Sequence, residues 1–334
     1  MPMTTYSDIS PRTNVYAARG MLKNAQPQYV LARMGTTKPM PKNSTDTIKF
    51  RRWVPFSAST VPLVEGVTPS AQQMSKEDVS VQLRQYGNFV TVTDWIEDTH
   101  EDPVLQGAVE ELGKQAGASD EQICYNAVKG GTTVAYANGS ARTDVNTPVS
   151  LNKIRSVVNT LQRNKAMKIT KVLDGSPDYN TYPVEAAYIA VGHVDLAPDI
   201  RNIQGFTPVA EYGSRKTVSE FEIGCVEDVR FVLSADLSPF TDAGGAKAGS
   251  GTTMRSTTGT SADVYPIIVM GEDFFAHVPL RGAFSLKAFI VNRKSSDSDP
   301  LAQRGHVGYK FAKAALILNE SWGCRLEVAA TSLS

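Results

Sequence analysis

The chain has 334 residues, 41% of them hydrophobic and 20% charged, and its 34 Lys and Arg residues balance 34 Asp and Glu residues. This composition excludes a disordered or fibrous protein, and a chain of this length buries a large core. The zero net charge excludes nucleic-acid wrapping by bulk positive charge, whereas weak repulsion between copies permits self-association. No apolar run approaches the ~18 residues of a membrane span, and the first residues lack the apolar core of a signal peptide.

Residues 1–45 are predicted to form an arm. Residues 16–34 favour one or two short helices, interrupted at Pro27 and ended at Gly35, and a proline-containing polar stretch follows. The segment has too few apolar residues to build its own core. We therefore expect an ordered arm that lies across another surface, with a frayed terminus as the alternative.

Two strands with a long connection are predicted next. Residues 47–56 alternate around Ile48 and Phe50. Between residues 79 and 92, apolar residues recur at every second position in two runs, first Val79, Val81 and Leu83 and then Val90 and Val92. About twenty residues without helical period separate them, which is too long for a tight hairpin. This pattern predicts a projecting two-stranded loop that rests on a neighbouring subunit. The candidate contacts between subunits are Arg51, Arg52, Trp53, Glu65 and Arg84.

A long helix is predicted over residues 104–129. Val104, Ala108, Leu112 and Ala116 form one apolar stripe at helical spacing. Asp102-Pro103 suits the start of a helix, and Lys129 followed by two glycines suits its end. Its length would be ~39 Å. The glycines at 107, 113 and 117 each cost ~1 kcal/mol relative to alanine, so tertiary packing must support this structural spine.

The remainder reads as a mixed α/β region. A second helix is predicted from Ser150, and short apolar runs from Tyr188 onwards favour strands. Residues 237–262 are rich in Gly, Ser and Thr and are predicted to form a surface loop. Two apolar runs joined around Asn319-Glu320 close the chain as strands.

No motif for chemistry is present. Cys124, Cys225 and Cys324 are far apart and form no CxxC pair, which favours buried free thiols. The glycine loop at 244–251 has Ser250 where a P-loop requires lysine. His193 and Asp195 are predicted to share a strand face, where a structural histidine is favoured over a catalytic pair. We predict no catalytic residue, no cofactor and no metal.

An acidic cluster precedes the long helix. Negative charge is favoured at a helix N-terminus, so capping accounts for these residues without paired catalytic carboxylates. The cluster consists of Glu97, Asp98, Glu101 and Asp102.

Several blocks of the sequence together resemble the coliphage N-four-like family of tailed-phage major capsid proteins. The blocks are TNVYAARGMLKNAQPQYVLARMG, KPMPKNSTDTIKFRRWVPF, LVEGVTPSAQQMS, QYGNFVTVTDWIEDTHEDPVL and GYKFAKAALILNESWGCRLE. The resemblance covers most of the chain and weakens over residues 237–262. It implies an α+β chain with the Hong Kong 97-like capsid fold.

The resemblance also implies a division of the chain. Residues 1–45 would be the N-terminal arm, 46–93 the extended E-loop of two long strands, and 94–149 the peripheral domain with the spine helix. Residues 150–284 would be the axial domain, and 285–334 would be strands that return to the peripheral domain.

The implied function is that of a non-enzymatic shell protein. Copies would form the pentamers and hexamers of an icosahedral shell around packaged double-stranded DNA, which they would contact non-specifically at most. A separate scaffolding protein, a portal and a decoration protein are the expected partners, and assembly is expected in the bacterial cytoplasm. No lysine lies between Ser57 and Met74, which argues against covalent cross-linking there. The alternatives are an encapsulin-type cellular compartment, a cytosolic α+β enzyme without a recognisable motif, and a minor phage structural protein such as a decoration or tail component.

Overall fold

The computed structural model describes residues 21, 24, 29–41, 43, 45–99, 104–173, 181–213, 215–249, 252–280, 286–291 and 300–333. The first twenty residues of the predicted arm, the Asp102-Pro103 helix start and Glu101 lie outside these residues. The side chains of Glu97 and Asp98 do so as well.

The described residues form an α+β structure of four α-helices, seventeen strands and short 3-10 turns. The helices are α1 Asp94–Thr99, α2 Val104–Lys129, α3 Leu151–Arg163 and α4 Ala197–Arg201. The strands are β1 Thr36–Thr37, β2 Thr47–Trp53, β3 Lys76–Gln82, β4 Arg84–Thr93, β5 Val134–Tyr136, β6 Ile169–Leu173, β7 Thr181–His193, β8 Phe206–Pro208, β9 Glu222–Val226, β10 Val229–Ser234, β11 Ala248–Gly249, β12 Thr252–Thr253, β13 Val264–Met270, β14 Phe275–Pro279, β15 Lys287–Val291, β16 Arg304–Ile317 and β17 Gly323–Ala329.

An eight-stranded mixed sheet carries the largest core. Its order is β5-β17-β13-β7-β10-β9-β8, and β6 pairs with β7. Successive residues of the central strands face opposite cores: Tyr188 and Ala190 face one core, and Ile189 and Val191 the other. A sheet buried on both faces requires continuous apolar strands, and β10 and β13 are buried at every position.

A five-stranded sheet lies against the long helix. Strand β16 is its centre and pairs with β14, β15 and β4, and β1 pairs with β14. Alternate residues of β16, namely Val307, Tyr309 and Phe311, pack with Leu112 and Ala116 of α2. The predicted helix 104–129 is therefore confirmed in its bounds, and its apolar stripe faces this sheet.

Strands β2 and β3 form a separate two-stranded sheet in which Thr47 pairs with Gln82 and Trp53 with Lys76. The strand expected over residues 79–92 is interrupted at Leu83, because its first part pairs with β2 and its second part with β16. The chain thus passes through Leu83 directly from the two-stranded sheet into the five-stranded sheet.

The segment 237–262 differs from the predicted surface loop. Met254 and Ala262 are buried, and isolated bridges join Phe240 to Val264 and Met254 to Thr331. The carboxylate of Asp242 accepts hydrogen bonds from the hydroxyl of Ser256 and from both the backbone N–H and the hydroxyl of Thr258. Local hydrogen bonds of this kind fold a stretch whose composition suggests only a flexible linker.

Candidate assembly interface

The stem of the β2–β3 loop is anchored on its own chain. Ile48 and Phe50 of β2 and Val79 and Val81 of β3 are half-buried on one face of the two-stranded sheet. They pack, with Leu83, on a cluster of buried residues: Met40, Ala276, Val278 and Leu316. The alternation predicted for both strands is confirmed, and it holds the stem against the five-stranded sheet.

Two ion pairs join β2 to β3 in the part of the stem nearest the loop. The guanidinium of Arg51 donates from Nε to Asp78 Oδ1 at 2.8 Å and from Nη2 to Asp78 Oδ2 at 3.2 Å. Arg52 pairs with Glu77 in the next register position. The hydrogen bond from Arg51 lowers the pKa of Asp78. Because these groups are exposed, the pairs fix the register of the strands more than they add to stability.

Beyond the stem, no residue of the loop belongs to a hydrophobic cluster of the described residues. Every residue from Trp53 to Asp78 is exposed. Within residues 55–74 the backbone makes a single internal hydrogen bond, from Val67 N–H to the Val64 carbonyl at 3.1 Å. That turn contains Glu65 and Gly66, and it requires the positive φ of Gly66, +79°.

The exposed part of the loop is strongly apolar. Eight of the eighteen exposed large hydrophobic side chains among the described residues lie in it, including Val61 at 80% and Leu63 at 78% exposure. The eight are Trp53, Val54, Phe56, Val61, Leu63, Val64, Val67 and Met74. An exposed apolar segment of this kind is typical of an interaction site.

The structure places the five predicted contact residues on this loop and its base. Arg51, Arg52 and Trp53 lie on β2, Glu65 lies in the turn at the tip, and Arg84 begins β4. Arg51 and Arg52 are compensated by carboxylates of their own chain. Trp53, Glu65 and Arg84 are exposed, and their contact with another subunit remains a prediction.

A buried ion pair joins the long helix to the five-stranded sheet. Lys313 Nζ of β16 lies 2.5 Å from Asp120 Oδ1 of α2, and the two residues are 3% and 5% exposed. A buried pair of this kind gains little net free energy, but removal of one partner leaves an uncompensated charge in the core. The pair therefore fixes how the helix sits on the sheet.

The neighbouring carboxylate holds the end of the arm. Glu121, which is fully buried, accepts backbone hydrogen bonds from Leu31 at 2.7 Å, Val30 at 3.3 Å and Ala32 at 3.4 Å. These N–H groups begin the 3-10 turn Leu31–Arg33, where a carboxylate is favoured. Burial raises the pKa of Glu121 to about 7, although the three N–H groups and Lys313 act in the opposite direction.

The sequence contained a signal for these buried groups. Asp120 continues the series Leu112, Ala116 and Cys124 at four-residue intervals, so it is an acidic residue within the apolar stripe of a helix. Charged groups are almost never fully buried without a partner. The signal predicts a buried partner, but the identity of that partner as Lys313 requires the fold.

The cysteines, His193 and Asp195 were considered as residues for chemistry, and each lies among other groups of the protein. All three cysteines are buried and free, as expected. His193 ends β7 and Asp195 lies in the following 3-10 turn, so the two do not share a strand face. Asp195 also pairs with Arg255 and accepts a hydrogen bond from Tyr265 Oη at 2.9 Å.

Two further observations concern the described residues alone. No group of three or more His, Cys, Asp or Glu side chains in this part of the chain is placed to hold a metal ion. None of its helices combines the length and apolarity of a membrane span.

Solved capsid structures share this architecture. The capsid of Ralstonia phage GP4 is similar with a TM-score of 0.67 at 10% identity, over 91% of this chain and 89% of that chain. The cyanophage Pam1 capsid asymmetric unit gives 0.60 at 12% identity, over 99% and 95%. The capsid of cyanophage P-SCSP1u gives 0.57 at 14% identity, over 90% and 88%.

The fold is therefore the Hong Kong 97-like capsid fold. The family model for phage capsid protein matches residues 76–276, more than half of the chain. The chain belongs to the phage capsid protein family, and its role is structural, in the shell of the virion. No curated protein matches it.

Proposed function

We propose that many copies of this chain form the pentamers and hexamers of an icosahedral shell that encloses double-stranded DNA, and that the loop from Trp53 to Asp78 joins neighbouring copies. The observation that carries this proposal is the exposure of eight large hydrophobic side chains on one extended segment. Full burial of each aliphatic or aromatic side chain is worth about 1.5–3 kcal/mol before the cost of ordering the loop. A second copy supplies the surface that the single chain lacks.

The pairing of the strands supports the proposed division of the chain. Strands β2 and β3 lie within the proposed E-loop at 46–93, and α2 within the proposed peripheral domain at 94–149. Strand β16 of the C-terminal segment packs on α2, which supports its return to the peripheral domain. Strand β14 ends before residue 285 and already pairs with β16. This pairing favours a boundary of the returning C-terminal segment that lies before residue 285.

The partners belong to the same proposal. The resemblance to the coliphage N-four-like family supports a separate scaffolding protein, a portal and a decoration protein, with assembly in the bacterial cytoplasm. The net charge of zero supports contact with packaged DNA that is non-specific at most.

Co-expression with candidate scaffolding proteins tests the proposal. Negative-stain microscopy is expected to show closed shells. Discrete monomers under every assembly condition would contradict the shell function.

Deletion of residues 58–73 tests the role of the loop. Because this segment belongs to no hydrophobic cluster of the described residues, we expect the variant to keep the circular dichroism spectrum and unfolding midpoint of the wild type and to form no shells. Replacement of the same residues by a glycine-serine linker of equal length controls for loop length and is expected to fail equally. Normal shells from either variant would refute the assignment.

A further inference from the structure

A lysine and an aspartate lie against each other where the long helix crosses the five-stranded sheet. Lys313 Nζ of β16 is 2.5 Å from Asp120 Oδ1 of α2. Both atoms are buried, and among the described residues neither of them has a hydrogen-bond partner. The separation is short enough for a hydrogen bond, so the angles at the two atoms are what exclude one. The two groups are thus in contact without the geometry of a hydrogen-bonded ion pair.

Apolar clusters enclose this contact on both sides along the helix. Ala116, one turn before Asp120, and Phe311, two residues before Lys313, belong to one cluster. Cys124, one turn after Asp120, belongs to another. The two charged side chains themselves are 4% and 7% exposed. The contact therefore lies in a region of low polarity from which solvent is largely excluded.

The same burial keeps the neighbouring titratable groups neutral. Burial raises the pKa of the Cys124 thiol to about 12. It lowers the pKa of His277 of β14 well below the usual range, and Lys313 acts in the same direction. Burial also raises the pKa of Glu121, the next residue of the helix, to about 7. Among the described residues, Asp120 is the only carboxylate within 4 Å of Lys313.

A neutral amine in contact with a neutral carboxyl group is the pair that condenses to an amide. For Lys313, burial favours the neutral amine, whereas Cys124 and Asp120 favour the ammonium, and its pKa rises overall. The ion pair is therefore the resting form. Because burial penalises both charges, the transfer of a proton from the ammonium to the carboxylate costs less here than in water.

The fixed contact also favours the reaction itself. Groups held in reactive contact behave as if at concentrations on the order of 10⁵–10⁸ M. Exclusion of solvent from the site opposes hydrolysis of the product. The arrangement thus supplies both the reacting pair and the conditions under which an amide persists.

We propose that Lys313 and Asp120 form an isopeptide bond that joins β16 covalently to α2 within one subunit. The ammonium first gives one proton to the carboxylate. Nζ then attacks Cγ to form the new C–N bond, the bond from Cγ to the protonated oxygen breaks, and a second proton from the nitrogen leaves with that oxygen as water. An ammonium and a carboxylate thus become one amide and one water, without an oxidant or a co-reactant.

Mass spectrometry of the full chain tests this bond. After several days at neutral pH, the denatured wild-type chain is expected to weigh one water less than its sequence. Lys313→Arg keeps the positive charge but has no primary amine, so it is expected to keep the full mass. Lys310→Arg changes an exposed lysine of the same strand and is expected to lose the water as the wild type does. The full mass in the wild-type chain would overturn the inference, whether or not the Lys313 variant folds.

Tryptic peptides locate the bond. Asp120 lies in the peptide 115–129, and Lys313 lies in 311–325 when trypsin does not cut after it. We expect a species of these two peptides joined with the loss of one water, with fragments that place the link on Asp120 and Lys313. Loss of water without this species, as closure of an aspartate to a succinimide gives, overturns the inference. A link at Glu121 overturns it too.

The result is independent of the shell function, because the bond lies within one subunit. Unlinked chains that assemble overturn the isopeptide bond and leave the shell function intact. Linked chains that form no shells support the bond and contradict the shell function alone.

Discussion

The projecting loop exposes apolar side chains to solvent, whereas the junction between α2 and the five-stranded sheet buries charged ones. The loop exposes eight large hydrophobic side chains, whereas the junction buries Asp120, Glu121 and Lys313 at no more than 5% exposure each. Every buried charge of the junction has a partner in its own chain. The charged groups of the junction are therefore paired within one subunit, and we propose that the apolar groups of the loop are covered only in an assembly.

Removal of the apolar tip should produce the largest effect and should act on assembly alone. We expect the triple variant Val61→Ser, Leu63→Ser and Val64→Ser to form no shells, because it removes the side chains that a second copy buries. Its free energy of unfolding as a subunit should stay within ~0.5 kcal/mol of the wild type. Microscopy and urea unfolding measure the two quantities, and Leu333→Ser is a control at another exposed apolar residue. Loss of subunit stability would show that the tip belongs to an internal core.

Removal of the buried lysine should act on the subunit itself. Lys313→Met leaves Asp120 charged and unpaired in the core, which is expected to lower the free energy of unfolding by ~3–5 kcal/mol. Lys310→Met, an exposed lysine on the same strand, is the matched control and should change it by ~0.5 kcal/mol or less. Equal stability of the two variants in urea titration would contradict the structural role of the ion pair.

The pH dependence of the free energy of unfolding should reveal the contribution of Glu121. Its carboxyl has an ordinary pKa of 4.5 and a folded pKa of about 7. Between these values the folded chain keeps a proton that the unfolded chain releases, so its contribution is complete below pH 4.5 and is lost as the pH rises to about 7. A shift of this size corresponds to ~3 kcal/mol. The glutamine variant Glu121→Gln does not titrate, so its free energy of unfolding should rise relative to the wild type by about that amount over the same window. A difference between the two proteins that is independent of pH would contradict the assignment.

Alanine substitutions at two glycines of α2 should change the stability of the subunit in opposite directions, and these effects should be the smallest of those predicted. A Cβ atom at Gly113 would lie 2.8 Å from the Met21 carbonyl oxygen, whereas at Gly107 it would meet nothing within 4 Å. Gly107→Ala should therefore stabilise the subunit by up to ~1 kcal/mol through helix propensity. Gly113→Ala should destabilise it, because backbone must move. The thermal midpoints of the two variants give the comparison, and a gain in both would show that the arm does not pack closely on this helix.

Features set by local periodicity could be predicted from the sequence. The bounds of α2, the half-buried faces of β2 and β3 and the exposed connection between them all follow from the spacing of apolar residues. The partners of buried charges could not be predicted, because Lys313 and Asp120 meet only after two distant segments pack. The burial of Met254 and Ala262 was missed for a related reason: the segment that contains them forms side-chain hydrogen bonds, such as those to Asp242, which composition does not report.

A row of residues that crosses three strands could not be predicted from periodicity either. Phe89, Gly308 and Phe289 come from three strands, and only the register of β4, β16 and β15 brings them into one row. The loop could be predicted as a contact segment from its sequence, but no surface that would receive it could be predicted.

Amide hydrogen exchange tests the central claim most directly, namely that the loop is completed by a neighbouring copy. Residues 57–74 are compared in unassembled subunits and in shells, with α2 as the internal reference. We predict rapid exchange of the loop in the subunit and strong protection in the shell, with α2 protected in both. Protection of the loop in the unassembled subunit, or rapid exchange in the shell, would contradict the claim.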